Sequence, residues 1–293
     1  MRHILILLFS ILALSCSKEI DIDQPDYQPQ IVVDGWIESD QSAHIFLTQS
    51  SPFLTHYDSA SIRNTFLNYA KITLTSSEGE SEILTLYREK QFFPPFVYKS
   101  VAIKGKSDVR YDIKIEVKGK TLEASTTIPK NPNPIKLSMN ASTDSSGILN
   151  ALITPSIDST IYLYTQVKSL KSKENYHASF MPCYQVQPTH APFDLPVWRV
   201  RETNLYLSDP QSHPYYKWPR YQYAIDDTVY VKIGATDATS FRVLKSLFTD
   251  HASMDNPFSF NGSRLETNIK GGIGRWTGIA TNRILIYTGQ ENQ

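Results

Sequence analysis

The stretch VRYDIKIEVKGKTLEASTTI, at residues 109–128, decides the fold class of this chain. Its first half places apolar residues such as Ile113 and Ile115 at alternate positions, which is the period of a strand that buries one face. Gly119 interrupts the pattern, and glycine favours the left-handed backbone of a two-residue hairpin turn. The stretch therefore predicts an antiparallel hairpin. Its two strands are Val109–Val117 and Lys120–Ile128.

Five further strands of this kind are predicted before the hairpin. They are Gln30–Ile37, His44–Gln49, Ala70–Thr75, Ser81–Tyr87 and Phe96–Ile103. About seven short strands in ~100 residues, with turn residues between them, are typical of an immunoglobulin-like or fibronectin-like sandwich. No long helical pattern intervenes, which argues against a parallel α/β sheet. We therefore predict an all-β sandwich domain at residues 30–128.

A proline-rich linker is predicted at residues 129–134, because three prolines in six residues cannot lie in a central strand. Residues 135–293 are predicted to form a second β-rich domain. Its strands are Ile135–Met139, Leu149–Thr154, Thr160–Lys168, Val197–Leu207, Thr228–Ala235 and Arg283–Tyr287. It also carries one helix, Ala238–His251, with Asp237 as N-cap and an apolar stripe that is expected to pack on a sheet. The stripe consists of Phe241, Leu244, Leu247 and Phe248.

The charge and the cysteine count exclude several classes of protein. The chain has 29 Lys and Arg against 29 Asp and Glu, and this balance argues against a nucleic-acid binder, which normally has a basic face. Two cysteines are too few for a disulfide framework, and no Cys/His spacing fits a zinc site. Cys183 is expected to be a lone, buried and inert thiol.

Residues 1–15 have the features of a secretory signal peptide. Arg2 is followed by the apolar run Ile4–Leu14, whose eleven residues reach about half of a bilayer core as a helix. The segment ends in Ala13-Leu14-Ser15-Cys16, which resembles the lipobox of bacterial lipoproteins, where the cysteine is acylated and becomes the first mature residue. The alternative is an ordinary signal peptide with a cysteine by chance. We predict lipid attachment at Cys16.

Residues 16–29 are predicted to form a lipidated tether. The stretch SKEIDID at residues 17–23 looks like the acidic signal that exports lipoproteins of the Bacteroidota to the outer face of the outer membrane. The alternative is a solvated tether with no export role. The expected location is the outer membrane, anchored through acylated Cys16 and exposed at the cell surface, with the periplasmic side left open.

Aromatic residues and prolines concentrate between Tyr176 and Tyr230. This segment holds 12 of the 34 aromatic residues, and seven of the 17 prolines lie between Pro182 and Pro219. Long segments of this kind are often functional, and exposed aromatics beside Arg and Lys suit a binding surface. The alternative is an irregular layer that covers a sheet. The candidate binding residues are Tyr215, Tyr216, Trp218, Arg220, Tyr221 and Tyr223.

Six runs of sequence, in their order and spacing, carry a resemblance to a known family. They are CSKEID from Cys16, IVVDGWIE from Ile31, IFLTQSSP from Ile45, YDIKIEVKGK from Tyr111, NPF from Asn256 and NIKGGIGRW from Asn268. With them the chain resembles the domain of unknown function 4249 family, uncharacterised lipoproteins of the Bacteroidota. The resemblance implies an envelope lipoprotein whose relatives are often encoded beside TonB-dependent receptors. It implies no catalytic residues.

Sequence motifs of catalysis and cofactor binding are incomplete or missing. In the glycine-rich run at residues 271–278, Thr277 stands where a dinucleotide fingerprint needs its third glycine, so a turn or bulge before a strand is expected. The sequence has no Gly-x-Ser-x-Gly and no His-Glu-x-x-His, and its seven histidines show no metal-ligand spacing. We predict no metal, no cofactor and no catalytic residues.

These observations predict a non-catalytic binding protein at the outer membrane, acting as an accessory to a TonB-dependent receptor or transporter. One alternative is a surface hydrolase acting on glycan or peptide, whose acid and base groups meet only in the fold. A cleft with two carboxylates roughly 5–10 Å apart would favour it. The other alternative is a structural or adhesive envelope module.

Overall fold

The computed structural model of the chain describes residues 27–52, 58–90, 94–131, 135–170, 176–199, 222–253 and 265–289. Before residue 132 it contains β1 Ile31–Glu38, β2 Ser42–Gln49, α1 Ser59–Asn64, β3 Lys71–Ser76, β4 Ser81–Ile83, β5 Thr85–Arg88, β6 Phe96–Lys104, β7 Val109–Val117 and β8 Lys120–Ile128. After residue 134 it contains β9 Ile135–Ala141, β10 Ser146–Ile153, β11 Ile161–Ser169, β12 His177–Val186, β13 Phe193–Val197, β14 Tyr223–Ala224, β15 Thr228–Thr236, α2 Ala238–Ser253 and β16 Ile273–Tyr287.

The strands form three sheets, so the predicted all-β, sandwich-like fold is confirmed. An eight-stranded sheet has the order β12-β11-β15-β16-β1-β2-β6-β5, and a four-stranded sheet has the order β4-β3-β7-β8. The third sheet has the order β13-β10-β14, with β9 also paired to β10. One continuous apolar core contains side chains from all three sheets, including Ile113, Leu149 and Val231.

Strand β16 joins the two halves of the chain. Its first part runs parallel to β1, from Ile273 opposite Val32 to Ile279 opposite Glu38. Its second part runs antiparallel to β15, from Ile279 opposite Thr236 to Tyr287 opposite Thr228. The eight-stranded sheet thus takes four strands from each side of residues 129–134, and the two halves of the chain share one sheet.

The glycines around the start of β16 explain the close approach of β1. Gly274 has φ +114°, and a Cβ atom added there would lie 1.9 Å from the carbonyl oxygen of Val33. A side chain at this position would therefore push the two strands apart. The predicted turn followed by a strand is confirmed, because Gly271 has φ +80° and β16 begins two residues later.

The predicted hairpin of β7 and β8 is confirmed at its predicted bounds. Val117 pairs with Lys120 across the turn, and the two turn residues, Lys118 and Gly119, have φ values of +50° and +69°. Two consecutive left-handed residues define the type I′ turn that matches the twist of a hairpin.

The predicted strand Ser81–Tyr87 is wrong in one respect, because the chain changes sheets within it. Strand β4 pairs with β3, whereas β5 pairs with β6 in the eight-stranded sheet. Leu84, between them, is buried in the core and donates its N–H to Ile72. Because Leu84 is buried between the two layers, the chain passes from one sheet to the other there and does not continue as a single strand.

The segment rich in aromatics and prolines contains more regular structure than the sequence predicts. Strands β12 and β13 lie within it, and β12 pairs with β11 despite the bulge between Tyr164 and Gln166. The strand predicted to start at Val197 instead ends there, because β13 spans Phe193–Val197. Residues 200–221 lie outside the described part of the chain.

The predicted helix after Asp237 and its packing are confirmed, as helix α2. Asp237 accepts hydrogen bonds from the Ser240 N–H at 2.8 Å and, from strand β8, the Thr127 N–H at 3.0 Å, so it caps α2 and ties it to the four-stranded sheet. The apolar stripe lies on the eight-stranded sheet: Phe241 contacts the Tyr162 ring at 5.0 Å between centroids. The cap therefore links α2 to the four-stranded sheet, and the apolar stripe packs it against the eight-stranded sheet.

We predict that Trp276→Ala lowers the free energy of unfolding by about 3–5 kcal/mol, the usual cost of removing a large buried ring. Trp276 is fully buried on β16, and its Nε1 donates to the carbonyl oxygen of Tyr111 at 3.0 Å. Urea denaturation measures the change. Leu285→Ala, on the same strand but 55% exposed, is the matched control, and an equal loss in both variants would contradict this account.

Candidate functional site

The structure places only one of the predicted binding residues within the described chain. Tyr223 lies in β14, which pairs with β10, and its side chain is fully buried. Burial raises the pKa of its phenol well above the ordinary value. Tyr223 is therefore a core residue and does not present its ring to a ligand. The other candidates, Tyr215, Tyr216, Trp218, Arg220 and Tyr221, lie outside the described residues, as does Cys16.

The thiol of Cys183 lies under helix α2. It is partly buried on β12 and packs against the apolar cluster of Tyr164, Leu244 and Ile279. Burial raises the pKa of the thiol to about 12. Because the thiolate is the reactive form, this thiol is a poor nucleophile at neutral pH, as expected for a structural cysteine.

The outer face of the eight-stranded sheet carries an unusual set of polar and aromatic side chains. Strand β1 buries Val33 and Ile37 in the core, so the alternating residues Asp34, Trp36 and Glu38 point to the opposite face. Strands β2, β15 and β16 add His44, Lys232 and Arg283 to this face by register. These residues belong to one surface because neighbouring strands hold them in line.

Glu38, Lys232, Arg283 and Tyr176 form what we name the junction cluster, at the point where β16 passes from β1 to β15. The Nζ of Lys232 donates to both carboxylate oxygens of Glu38, at 2.9 and 3.0 Å, and a terminal nitrogen of Arg283 donates to Glu38 Oε2 at 2.6 Å. The Glu38 side chain is only 7% exposed. One carboxylate faces two cations, so the cluster keeps one uncompensated positive charge.

Tyr176 packs against the Lys232 side of the junction cluster. The Lys232 ammonium lies 4.2 Å from the centroid of its ring, which is a cation–π contact. Burial raises the pKa of the Tyr176 phenol, and the positive charge of Arg283 opposes that rise. Tyr176 therefore stays neutral and keeps its hydroxyl proton as a hydrogen-bond donor near Arg283.

A second row of side chains adjoins the junction cluster and runs across β16, β1 and β2. Trp36 stacks on His44 with 5.4 Å between ring centroids and 4° between planes, and the Arg275 guanidinium lies 5.7 Å from the Trp36 ring. Arg275 also donates from Nε to Asp34 at 2.6 Å. His44 and Arg275 approach Trp36 from its two neighbouring strands, so side chains of both strands engage its ring.

His44 is held in one orientation. Its Nδ1 lies 2.9 Å from the carbonyl oxygen of Ser42, which can only accept, so Nδ1 carries the proton. Burial lowers the pKa of the imidazole from its ordinary value, and the nearby charge of Lys99 lowers it further. His44 is therefore neutral at physiological pH and presents Nε2 as an acceptor.

The carboxylates that β1 presents on the outer face are not free. Both outer-face carboxylates of β1, Asp34 and Glu38, are held in ion pairs. Among the described residues, no three His, Cys, Asp or Glu side chains come together as metal ligands. No helix within those ranges has the length and apolarity needed to span a bilayer.

Local sequence patterns indicate the outer face of β1 but not the junction cluster itself. The polar and aromatic positions Asp34, Trp36 and Glu38 alternate with apolar ones, and that alternation is a usable signal of an outer face. Lys232 and Arg283 occupy predicted strands and carry no local signal. Their meeting with Glu38 depends on pairing between distant strands.

Comparison with known proteins gives a family and no curated relative. A family model described as a domain of unknown function, DUF4249, matches residues 17–283. No curated protein matches the chain.

We predict that Glu38→Gln lowers the free energy of unfolding by about 2–4 kcal/mol, because it leaves two partly buried cations without their counter-charge. Urea denaturation measures the change. Glu116→Gln is the matched control: Glu116 is 40% exposed and pairs with Lys71 at 3.5 Å, so its loss should cost less than about 1 kcal/mol. An equal loss of unfolding free energy in both variants would show that the ion pairs of Glu38 contribute no more than a surface ion pair does.

We predict that His44 makes the protein less stable at mildly acidic pH. Because its pKa is lowered in the folded state, the unfolded chain binds more protons below about pH 6.5, and stability falls as pH drops through that window. Urea denaturation at pH 7 and pH 5 should show a smaller drop for His44→Gln than for the unchanged protein. His190 is exposed, so His190→Gln is the matched control. If stability fell between pH 7 and pH 5 by the same amount in His44→Gln as in the unchanged protein, His44 would not be the responsible group.

Proposed function

The chain belongs to the DUF4249 family, and we propose that this member is a lipid-anchored binding protein of the outer membrane that serves as an accessory to a TonB-dependent receptor. The protein acts by binding, without catalysis. It carries its ligand site on the outer face of the eight-stranded sheet. Acylated Cys16 holds it at the membrane.

The junction cluster is the observation that supports a binding role. Glu38, Lys232 and Arg283 come from three different strands and form a partly buried set with unbalanced charge. Burying charge costs free energy, and a salt bridge of this kind is weak evidence for stability alone. An outward-facing arrangement that an apolar replacement could match in stability is more useful for recognition than for a scaffold, which favours binding over a structural or adhesive role.

The same residues argue against the hydrolase alternative at this surface. A general acid and a general base need carboxyl groups that are free to exchange protons with a substrate. Asp34 and Glu38, the outer-face carboxylates of β1, are engaged by Arg275 and by Lys232 with Arg283. We therefore place recognition rather than acid–base chemistry on this face.

The anchor and the receptor partnership are supported by the sequence and the family. The lipobox-like run before Cys16 supports acylation, and the 15 residues from Cys16 to Gln30 would reach about 50 Å if extended. Such a tether lets the folded body contact a neighbouring protein in the same membrane. The TonB-dependent receptor as that neighbour follows from what the family resemblance implies.

We predict that Cys16→Ala releases the protein from the membrane fraction without unfolding it, because the substitution removes the acyl attachment point and precedes the first strand. Fractionation followed by urea denaturation of the released protein measures both effects. Cys183→Ala, which removes the other cysteine, should leave the protein in the membrane fraction. Persistent membrane association of Cys16→Ala would contradict lipid anchoring.

Co-purification from native membranes in mild detergent tests the receptor partnership. The expected result is recovery of a TonB-dependent receptor with the tagged full-length protein, identified by mass spectrometry. A tagged outer-membrane lipoprotein of another family is the control for unspecific recovery. Purification of the protein without a receptor, or equal recovery with the control, would overturn this part of the proposal.

A further inference from the structure

We infer that the junction cluster is an oxyanion site in which Arg283 binds the carboxylate or phosphate group of a small ligand. This inference rests on the proposed function, because it names the chemistry of the ligand that the binding face recognises. Arg283 makes the direct contact, and Glu38 and Lys232 position it.

Arg283 has unused hydrogen-bonding capacity. A guanidinium carries N–H donors along both of its edges. In the described part of the chain, the side chain of Arg283 makes one hydrogen bond, from a terminal nitrogen to Glu38, and it is 34% exposed. The remaining donors are therefore available to a group that approaches from solvent. Carboxylate and phosphate oxygens match the planar fork of a guanidinium and bind it bidentately.

The geometry around Arg283 is fixed before a ligand arrives. Glu38 is nearly buried and is held by both contacts from Lys232, so the carboxylate that orients Arg283 cannot swing freely. The directly opposed register of Lys232 and Arg283 on β15 and β16 keeps the two cations side by side. A recognition group held in this way loses little conformational entropy on binding.

The charge balance selects an anion. The ammonium of Lys232 donates two hydrogen bonds to Glu38 and contacts the ring of Tyr176, so Lys232 already has partners within the cluster. Its charge remains, and together with Arg283 it exceeds the single negative charge of Glu38. The site therefore attracts an anion and repels a cation. Partial burial strengthens this preference, since electrostatic interactions weaken less there than in bulk water.

The neighbours of Arg283 suit a ligand with an organic part. Tyr176 lies close enough to Arg283 for the guanidinium charge to act on its phenol. On the same face of β16, two residues from Arg283, Leu285 is 55% exposed. A phenol hydroxyl can donate to the bound oxyanion, and the exposed leucine can cover apolar atoms of the ligand.

The test uses the purified full mature chain and isothermal titration calorimetry at constant ionic strength set with chloride. The probes are inorganic phosphate and glucuronate, which separate the phosphate from the carboxylate source, and glucose is the uncharged counterpart of glucuronate. We expect binding of phosphate, glucuronate or both, and none of glucose. Arg283→Gln should weaken the affinity for the bound probe about tenfold or more, the scale of a lost charge-assisted contact.

Two further variants make the result specific. Arg242→Gln removes an exposed arginine of α2 and should leave the affinity within about twofold, which controls for net charge. Arg283→Lys keeps the charge but loses the fork, so it should bind more weakly than the unchanged protein and more tightly than Arg283→Gln. It also keeps the test informative if Arg283→Gln fails to fold.

Absence of phosphate and glucuronate binding by the unchanged protein would overturn the inference, as would equal affinities in the unchanged protein and Arg283→Gln. These outcomes are separate from the test of the proposed function. If the protein binds an oxyanion but no receptor co-purifies with it, the oxyanion site stands and the receptor partnership is refuted. If a receptor co-purifies but no oxyanion binds, the receptor partnership stands and the oxyanion site is refuted.

Discussion

The passage of β16 from one neighbour to the next is the constraint on which the rest of the structure depends. Residues up to Ile279 pair with β1, and residues from Ile279 onward pair with β15, so one strand belongs to both halves of the chain. Its inward side places Trp276 in the core against Tyr111 of β7. Without this strand, β1 would be an unpaired edge on that side and the two halves would share no sheet. The order of the eight strands follows from it.

The same passage creates the junction cluster on the outward side. Glu38 is the last residue of β1, and the strand ends opposite the point at which β16 turns to β15. Lys232 and Arg283 lie just beyond that point and converge on its carboxylate. A partly buried charge of this kind needs partners from elsewhere, because the surrounding protein solvates it poorly. The seam between the halves is thus where the fold holds this partly buried charge, and recognition at the seam would respond to both halves at once.

The local part of this architecture could be predicted from the sequence. The hairpin around Gly119, the capped helix after Asp237 and most strands have signals within a few residues of one another. The crossing at Leu84 has no such signal, because a single buried leucine looks the same inside a strand or between two. The junction cluster joins residues 38, 232 and 283, and nothing local encodes that register. Tyr223 was misassigned because a ring in a cluster of aromatics gives no sign of its burial.

If the two halves form one body with the binding face at their seam, they should stay together when the chain between them is cut. A protease site introduced at Lys130-Asn131 of the full-length protein would be cleaved after purification, followed by size-exclusion chromatography without denaturant. We expect both fragments to elute together at the volume of the uncut protein, because β1 and β16 stay paired. Elution as two separate folded fragments would contradict it.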